Sequence, residues 1–260
     1  MVGPNDPISQ LDVKNPWYVD DHFAKQYYRR GPRAVIERRW KIFENAIEKF
    51  FINSHLGSPS TPAKVLDAGC GDGINLLGLN NIAKRRSWNI SIYGADYNPI
   101  RLERAAKFSF VKETVESPLD DIPYANDCFD AVLCNHVIEH IPQDKKVLLE
   151  LKRIIRPGGL FILGVPNEGC ALARLRNHII QPYLLKSTDH INFYTEKSIS
   201  NLLINSGFLI SKLKKVGFFL PHLGLNFLIS NTKGGHVLLN TLGHFFPSQS
   251  ADLIIISTKK

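Results

Sequence analysis

Three glycines at alternate positions, Gly69, Gly71 and Gly73, stand where the chain could best bind a ligand through its main chain. They follow a short apolar run, residues 63–68, that is typical of a buried strand, and they precede a helical pattern. Glycine is favoured in such a turn because a Cβ would hold a ligand away from the main chain, and because a sharp turn after a strand often requires a positive φ. The stretch therefore predicts a nucleotide-binding corner.

The spacing of these glycines is not that of a dinucleotide site. Counted from Gly69, the G-x-G-x-x-G pattern needs its third glycine one position later than the chain provides it. An acidic residue at the strand end, Asp67, followed by G-x-G-x-G resembles instead the first motif of class I S-adenosylmethionine-dependent methyltransferases. The resemblance implies that Gly69, Cys70 and Gly71 lie against the methionyl and ribose parts of the cofactor. It also implies that Asp67 fixes the amino group of the cofactor, directly or through water.

Residues after the next three predicted strands extend this resemblance. Asp96 ends the second strand, about 20 residues or more past the glycine turn, where a carboxylate can accept both ribose hydroxyls. The family pattern implies that Tyr97 packs on the adenine. It also has an acidic residue after the third strand for the adenine amino group; the chain departs from the family here, and Glu116 is the candidate. Residues 135–142 resemble the family's Glu-His stretch after the fourth strand, which implies that the main chain around Asn135 contacts the methionine part.

Two histidines are the candidate catalytic residues. The stretch 189–195 resembles the family's D-H-x-x-x-F-T sequence, which implies that His190 lies in an excursion that lines the acceptor pocket. A histidine titrates at about pH 6.5, which suits removal of a proton from a hydroxyl or an amine at neutral pH. By the same resemblance His136 and His140 approach the transferred methyl group. A hydrogen-bonded structural imidazole is the alternative for each of them, and it is the favoured interpretation for His140. A loop-fixing role for His190 stays open as the alternative.

Strands and helices that alternate along the chain must position these residues, and the alternation predicts a parallel sheet covered by helices on both faces. Predicted strands cover residues 63–68, 89–95, 110–115, 128–134, 160–165, 208–215 and 251–258, and predicted helices cover residues 34–51, 74–85, 98–107, 143–155 and 196–205. The last two strands have no βαβ link between them, so they must pair as antiparallel neighbours. The predicted fold is α/β, a Rossmann-like, seven-stranded, mostly parallel sheet with an antiparallel last strand, as in the methyltransferases that the motifs resemble.

A break rich in serine and proline before the first strand divides the chain into a helical lead-in, residues 1–57, and a predicted methyltransferase domain, residues 58–260. In the family that the motifs resemble, the segment before the first motif folds over the cofactor. This implies that Tyr27, Tyr28 and Arg29 are candidates for one wall of the substrate site.

Two insertions, residues 166–194 and 217–250, are predicted to cap this domain. The second is apolar and aromatic, but prolines and glycines break it, and no run in it is long enough to span a bilayer. It is interpreted as a small helical cap on the core. A pocket for an apolar acceptor and a peripheral contact with a membrane surface are the alternatives.

The composition excludes several classes of protein. With 260 residues, 44% of them hydrophobic and 22% charged, the chain is an ordinary globular protein rather than a disordered one. Its beginning has no basic and apolar secretory signal, so a cytoplasmic location is expected. The four cysteines have no metal-ligand spacing, so no metal site is expected. The net charge of +8 is scattered along the chain, so a nucleic-acid partner is possible but not favoured.

The resemblance implies a methyltransferase that uses S-adenosyl-L-methionine and releases S-adenosyl-L-homocysteine. The predicted reaction is direct SN2 transfer to an oxygen, nitrogen or carbon of a small-molecule acceptor, which could be apolar, sugar-derived or lipid-linked. Two alternatives stay open: an RNA methyltransferase, and a non-catalytic protein that retains the fold. The sequence also leaves open the acceptor atom, the use of a general base and the oligomeric state.

Overall fold

The computed structural model describes residues 19–183, 189–232 and 234–260, without the side chain of Arg30. The start of the predicted lead-in, residues 1–18, and part of the first insertion, residues 184–188, lie outside the described residues. The strands are β1 (Ala63–Ala68), β2 (Ile90–Asp96), β3 (Val111–Glu116), β4 (Phe129–Asn135), β5 (Ile155–Pro166), β6 (Phe208–Val216) and β7 (Asp252–Lys259). The α-helices are α1 (His22–Tyr27), α2 (Arg30–Ser54), α3 (Ile74–Arg86), α4 (Pro99–Ala106), α5 (Asp144–Ile154), α6 (Ala171–Leu175), α7 (Glu196–Asn205), α8 (Leu223–Ser230) and α9 (Gly235–Phe245).

The described strands form one seven-stranded sheet in the order β3-β2-β1-β4-β5-β7-β6. β1 pairs in parallel with both β2 and β4, whereas β7 pairs antiparallel with both β5 and β6. The predicted mostly parallel sheet with an antiparallel last strand is confirmed. The strand order reverses between β1 and β4, and in open α/β sheets ligands bind at the carboxyl ends of the strands that flank such a point.

Local sequence explains where several helices begin. Gly73 precedes α3 in the left-handed region, at φ 88°. The Asn98 side chain accepts a hydrogen bond from the Arg101 N–H at the start of α4, at 3.2 Å. Thr195 and Ser198 form a capping box at the start of α7. The side chains of Asn98, Thr195 and Ser198 thus fix the first turns of α4 and α7.

Strand β5 begins earlier than the sequence pattern predicts. The pattern predicts a helix up to residue 155 and a strand from residue 160, whereas α5 ends at Ile154 and β5 begins at Ile155. Phe129 pairs with Ile155 and Ala131 pairs with Leu160, so the intervening Arg-Pro-Gly-Gly segment bulges out of a continuous strand. These glycines therefore do not turn the chain between a helix and a strand, as the sequence suggested.

Helix α2 of the lead-in covers one face of the sheet. Trp40, Phe43, Ile47 and Phe51 of this helix belong to the same buried cluster as Val65 of β1. Burial of each such side chain contributes about 1.5–3 kcal/mol. The lead-in therefore shares its core with the domain that follows it.

Helix α1 and the residues before it are attached beside the glycine turn. The Arg104 guanidinium donates hydrogen bonds to the main-chain oxygens of Val19 and Asp20, at 2.7 and 2.9 Å. It also pairs with Asp72 of the glycine turn at 3.0 Å. These contacts hold the start of the described chain against the edge of the sheet where β1 ends.

The two insertions fold over the other side of this edge. Helices α8 and α9 contact each other and α2. The Leu223 N–H donates to the side-chain oxygen of Gln181 at 2.8 Å, and the Gly31 N–H donates to the Asn231 Oδ1 at 3.1 Å. The second insertion is thus tied both to the first insertion and to the lead-in. No helix among the described residues has the length and apolar character needed to cross a membrane.

Candidate active site

A cavity of about 1420 Å³ lies at the carboxyl ends of β1, β2 and β4. Its wall contains most of the residues that the sequence predicts for the cofactor and for catalysis, namely Gly69, Cys70, Asp96, Tyr97, Glu116, Asn135, His136 and His190. The predicted residues Asp67 and Gly71 are not part of this wall. The fold thus brings together residues that are distant in sequence, as the order of the strands requires.

The glycines at positions 69 and 71 are required for two different reasons. At Gly69 φ is 79°, and an added Cβ would collide with the side chain of Val137. Of the two expected reasons for glycine here, the positive φ is observed, whereas the space of a Cβ is filled by the Val137 side chain rather than left for a ligand. At Gly71 φ is 50°, and an added Cβ would collide with the Arg101 guanidinium, which also lines the cavity. A ligand at this turn therefore meets an arginine as well as main chain.

Asp96 holds the glycine turn through main-chain hydrogen bonds. Its Oδ2 accepts from the Gly71 N–H at 2.7 Å, and its Oδ1 accepts from the Asn98 N–H at 2.9 Å. Burial raises the pKa of Asp96, although the charge of Arg101 and the two N–H groups favour the ionised form. Since a carboxylate has about four lone-pair sites, Asp96 can accept further hydrogen bonds from a ligand.

Asp67 is a buried carboxyl group without a counter-charge. Its side chain is fully buried, and neither oxygen has a hydrogen-bond partner among the described residues. Burial, and after it the charge of Asp96, raises the pKa of Asp67 to about 8. The Asn75 amide opposes this rise, although its geometry falls short of a hydrogen bond. A positive group nearby would favour the ionised form, so the environment is compatible with the predicted role beside an amino group.

The wall that follows β3 and β4 has polar atoms without protein partners. Ser117 is buried directly after β3, and its Oγ has no hydrogen-bond partner in the described part of the chain. The Oδ1 of Asn135 is also buried and has no hydrogen-bond partner among the described residues. Glu116 and Tyr97 are exposed and line the same cavity. Ser117 therefore joins Glu116 as a candidate for the adenine amino group.

His136 belongs to a charge network at the end of β4. Its Nε2 lies 3.3 Å from Asp252, its Nδ1 lies 3.3 Å from Glu139, and Arg39 pairs with Asp252 at 2.8 Å. Burial and the charge of Arg39 oppose protonation of His136, but Asp252 and Glu139 outweigh them and raise its pKa. A histidine with a carboxylate beside each ring nitrogen is a poor proton acceptor. This geometry favours a charge-balancing role for His136 over the predicted catalytic one.

His190 lines the cavity and is held by a carboxylate that the sequence analysis did not identify. Its Nδ1 lies 2.7 Å from the Oε2 of Glu168, and the Oε1 of Glu168 accepts a hydrogen bond from Arg176 at 2.8 Å. Burial opposes ionisation of Glu168, but the hydrogen bond with His190 and the charge of Arg176 lower its pKa. Because an ionised carboxylate can only accept, Nδ1 donates to Glu168, and in the neutral imidazole the lone pair is therefore on Nε2.

Glu139, His140 and His190 form a second cluster beside the cavity. One ligand-capable atom from each residue lies within 4.8 Å of the others. Glu139 is fully buried, and burial is the main cause that lowers the pKa of His140. Two imidazoles and a carboxylate are a donor set that can hold a divalent cation. Sequence spacing predicts no metal site, and the fold alone brings these three residues together.

The cavity continues from the cofactor edge into an apolar chamber under the insertions. The apolar side chains in its wall are Val35, Ile36, Phe218, Phe219, Leu223, Phe227 and Leu239. A smaller cavity of about 230 Å³ adjoins the chamber at His190, Glu168 and Phe219. His190 therefore stands where the polar edge and the apolar chamber meet.

The lead-in lines the large cavity, but the predicted residues Tyr27, Tyr28 and Arg29 are not in the cavity wall. Tyr27 stacks on Phe23 with ring centroids 5.2 Å apart, and Tyr28 is exposed. Arg29 lies over the ring of Phe227, with its guanidinium carbon 5.8 Å from the ring centroid. The lead-in residues that line the cavity are Gln26, Gly31, Pro32, Val35, Ile36, Arg38 and Arg39.

The sheet order, the glycine turn after β1 and the carboxylate that ends β2 define the class I S-adenosylmethionine-dependent methyltransferases. Residues 37–213 match the family model described as a methyltransferase domain. The chain belongs to this methyltransferase family.

Three known proteins illustrate the relationship. The chain is 31% identical over 165 residues to the ubiquinone biosynthesis O-methyltransferase of Yersinia pestis (strain Pestoides F), which covers 60% of this chain and 58% of that protein. A methyltransferase in complex with the Haloferax volcanii Trm112 activator has a TM-score of 0.62 at 15% identity, covering 95% of this chain and 98% of that chain. A SAM-dependent methyltransferase from Archaeoglobus fulgidus has a TM-score of 0.58 at 19% identity, covering 92% and 100%. The chain spans less than two thirds of the length of several curated relatives that it matches.

Proposed function

We propose that the chain transfers the methyl group of S-adenosylmethionine to an oxygen atom of a small, apolar acceptor. The observation that carries this proposal is the continuity of the 1420 Å³ cavity, which joins the cofactor edge, His190 and the apolar chamber. A concave, largely apolar wall with a few polar groups is typical of small-molecule sites. Curated relatives that are named ubiquinone biosynthesis O-methyltransferases support an oxygen acceptor on an apolar molecule.

The residues at the sheet edge fit the cofactor. Asp96 retains lone pairs for the ribose hydroxyls, and the buried, unpartnered oxygens of Ser117 and Asn135 suit the amino groups. Asp67 supplies a carboxyl group that a positive charge nearby would ionise. When bound, S-adenosylmethionine supplies an electrophilic methyl group on its sulfonium. The protein's task is then to hold the acceptor in line and to keep water out.

His190 is the proposed general base. Its Nε2 accepts the proton that the acceptor hydroxyl loses, and Glu168 holds the proton on Nδ1 and stabilises the imidazolium that results. Arg176 keeps Glu168 ionised through its own hydrogen bond. The apolar chamber excludes water, so the acceptor oxygen is the nucleophile that meets the methyl group.

His136 is proposed to act through charge rather than proton transfer. The protonated imidazole balances the carboxylates of Asp252 and Glu139, which would otherwise be adjacent negative charges at the end of β4. Arg39 completes the balance from α2. The network thus fixes the end of β4 next to the cavity.

The test is a transfer assay with radiolabelled S-adenosylmethionine. The acceptors are catechols and hydroquinones that carry alkyl chains of graded length, with total RNA as the comparison. We expect label in a phenolic ether, with a rate that rises with chain length because the chamber is apolar. Label in RNA alone would support the RNA methyltransferase alternative. Failure to bind S-adenosylmethionine in calorimetry would show a non-catalytic protein.

A further inference from the structure

Helices α8 and α9 present apolar side chains on both of their faces. Leu223 and Leu239 line the chamber, whereas Leu228 and Phe245 are 67% and 71% exposed on the outside. A helix at the surface of a soluble protein normally presents polar residues to water. The exposed apolar side chains of these helices and of the residue after α9, which we call the cap face, are Leu225, Phe227, Leu228, Val237, Leu238, Phe245 and Phe246. A cluster of this kind marks an interaction surface.

The first insertion continues the cap face. Ile179 and Tyr183 are exposed, and Gln181 between them accepts a hydrogen bond from the Leu223 N–H at the start of α8. This bond places the exposed residues of the first insertion beside those of the second. The apolar surface is therefore built from two chain segments around one end of the chamber.

The sequence of both segments lacks negative charge. No aspartate or glutamate occurs from Lys197 to Ala251, and none occurs from Gly169 to Thr188. A cation also stands at the edge of the cap face, since Arg29 is exposed and lies over the Phe227 ring. Apolar side chains on segments without acidic residues, next to a basic side chain, match the surface of an anionic lipid bilayer.

We propose that the cap face binds the surface of a membrane that contains anionic phospholipids. Helices α8 and α9, of 8 and 11 residues, are too short to span a bilayer and suit insertion at the interface. A protein partner or a second copy would also bury apolar side chains, but the absence of acids over both segments favours an anionic surface. The proposal goes beyond methyl transfer and does not require it. It adds that an apolar acceptor can reach the chamber from the bilayer.

The test is sedimentation with vesicles. The full chain is mixed with vesicles of phosphatidylcholine alone and with vesicles that contain about 30% phosphatidylglycerol. We expect binding to the anionic vesicles only, with a loss at high salt because ionic attraction is screened. The double variant L228E/F245E should bind at least tenfold more weakly. Both positions are exposed, so circular dichroism and the affinity for S-adenosylmethionine should stay unchanged.

The matched control is the double variant I52E/I204E, which makes the same change at exposed positions of α2 and α7. It should bind vesicles like the unmodified chain. Equal binding by both double variants, or no binding of the unmodified chain to anionic vesicles, overturns the proposal. Ultracentrifugation that finds a dimer which L228E/F245E separates would assign the cap face to self-association instead. Since sedimentation needs no turnover, a failure here is distinguishable from a failure of the transfer assay.

Discussion

The Nδ1 of His190 lies 2.7 Å from the Oε2 of Glu168, and both side chains are largely buried at the wall of the smaller cavity. The pair orients the histidine so that one ring nitrogen is committed to the protein and the other is left for the acceptor. Glu168 lies two residues after the end of β5.

Replacing Glu168 with glutamine should reduce turnover. The amide can donate to Nδ1, which would move the imidazole proton to Nε2 and remove the proton acceptor. We expect kcat to fall at least about tenfold, while the affinity for S-adenosylmethionine in calorimetry stays the same. The matched control is E150Q, which removes the charge of a partly buried glutamate that pairs with Arg153 at 2.7 Å, outside the cavity wall. If E168Q and E150Q have the same kcat, His190 is not the base.

Asp67→Asn should stabilise the free protein and weaken the cofactor complex. The ordinary pKa of the group is 3.8, and burial raises it to about 8 in the folded chain. The folded state therefore holds a proton that the unfolded state releases, so the free energy of unfolding falls as pH rises between these two values. Asparagine does not ionise, so this decrease in the free energy of unfolding is absent in the variant. At pH 8 we expect a rise in Tm of about 2–4 °C, corresponding to about 1 kcal/mol, together with weaker binding of S-adenosylmethionine.

The contrasting substitution is Asp96→Asn. Both oxygens of Asp96 accept main-chain N–H groups, from Gly71 and Asn98, so an amide would set a donor against a donor. This variant should lose both stability and cofactor affinity. A gain in Tm for D96N would mean that the two main-chain hydrogen bonds do not stabilise the fold, and a loss for D67N at pH 8 would mean that burial of the ionised Asp67 does not destabilise it.

Gly71→Ala should weaken cofactor binding in a way that another strained glycine does not. Gly71 and Gly158 both have positive φ, at 50° and 71°, so alanine is strained at either position. Only at Gly71 would the added methyl also displace the Arg101 guanidinium at the cavity wall, because nothing lies within 4 Å of the corresponding position at Gly158. Calorimetry should show a large loss of affinity for G71A and none for G158A. If G71A and G158A bind S-adenosylmethionine with similar affinities, the cofactor does not bind at the Gly71 turn.

Methyl transfer should continue in the presence of EDTA, because the proton acceptor is the Nε2 of His190. Added Zn²⁺ should inhibit, since a cation held by Glu139, His140 and His190 would take up that lone pair. His140→Gln should relieve the inhibition by removing one ligand. The opposite pattern, with activity lost in EDTA and restored by Mg²⁺ or Mn²⁺, would make the cluster a working metal site and the base assignment wrong.

The cofactor edge could be predicted because its residues follow the strands directly. Gly69, Asp96, Glu116 and Asn135 each stand at or just after the end of a parallel strand, and such ends meet at one edge of a sheet. Periodicity and glycine spacing are local signals, so they identify this edge from the sequence alone. The same holds for the antiparallel β7, which follows from the missing crossover.

The acceptor side could not be predicted in the same way, because its contacts join distant residues. Arg39 and Asp252 are 213 positions apart, and Glu168 and His190 are 22 positions apart with α6 between them. No periodic pattern marks such pairs. The early start of β5 was missed for a related reason, since Pro157 and two glycines indicate a turn, whereas the pairing with β4 continues around them.

Gly31 packs so closely on Ser230 that a Cβ would come within 2.7 Å of its hydroxyl. Gly31 also donates its N–H to Asn231, 200 positions away in the chain. During synthesis, a nascent chain has every residue of the cofactor edge once Asn135 has emerged from the ribosome, but it still lacks α8 and α9 at that point. Under the proposed function, the helices that complete the acceptor chamber are therefore made after the whole cofactor edge.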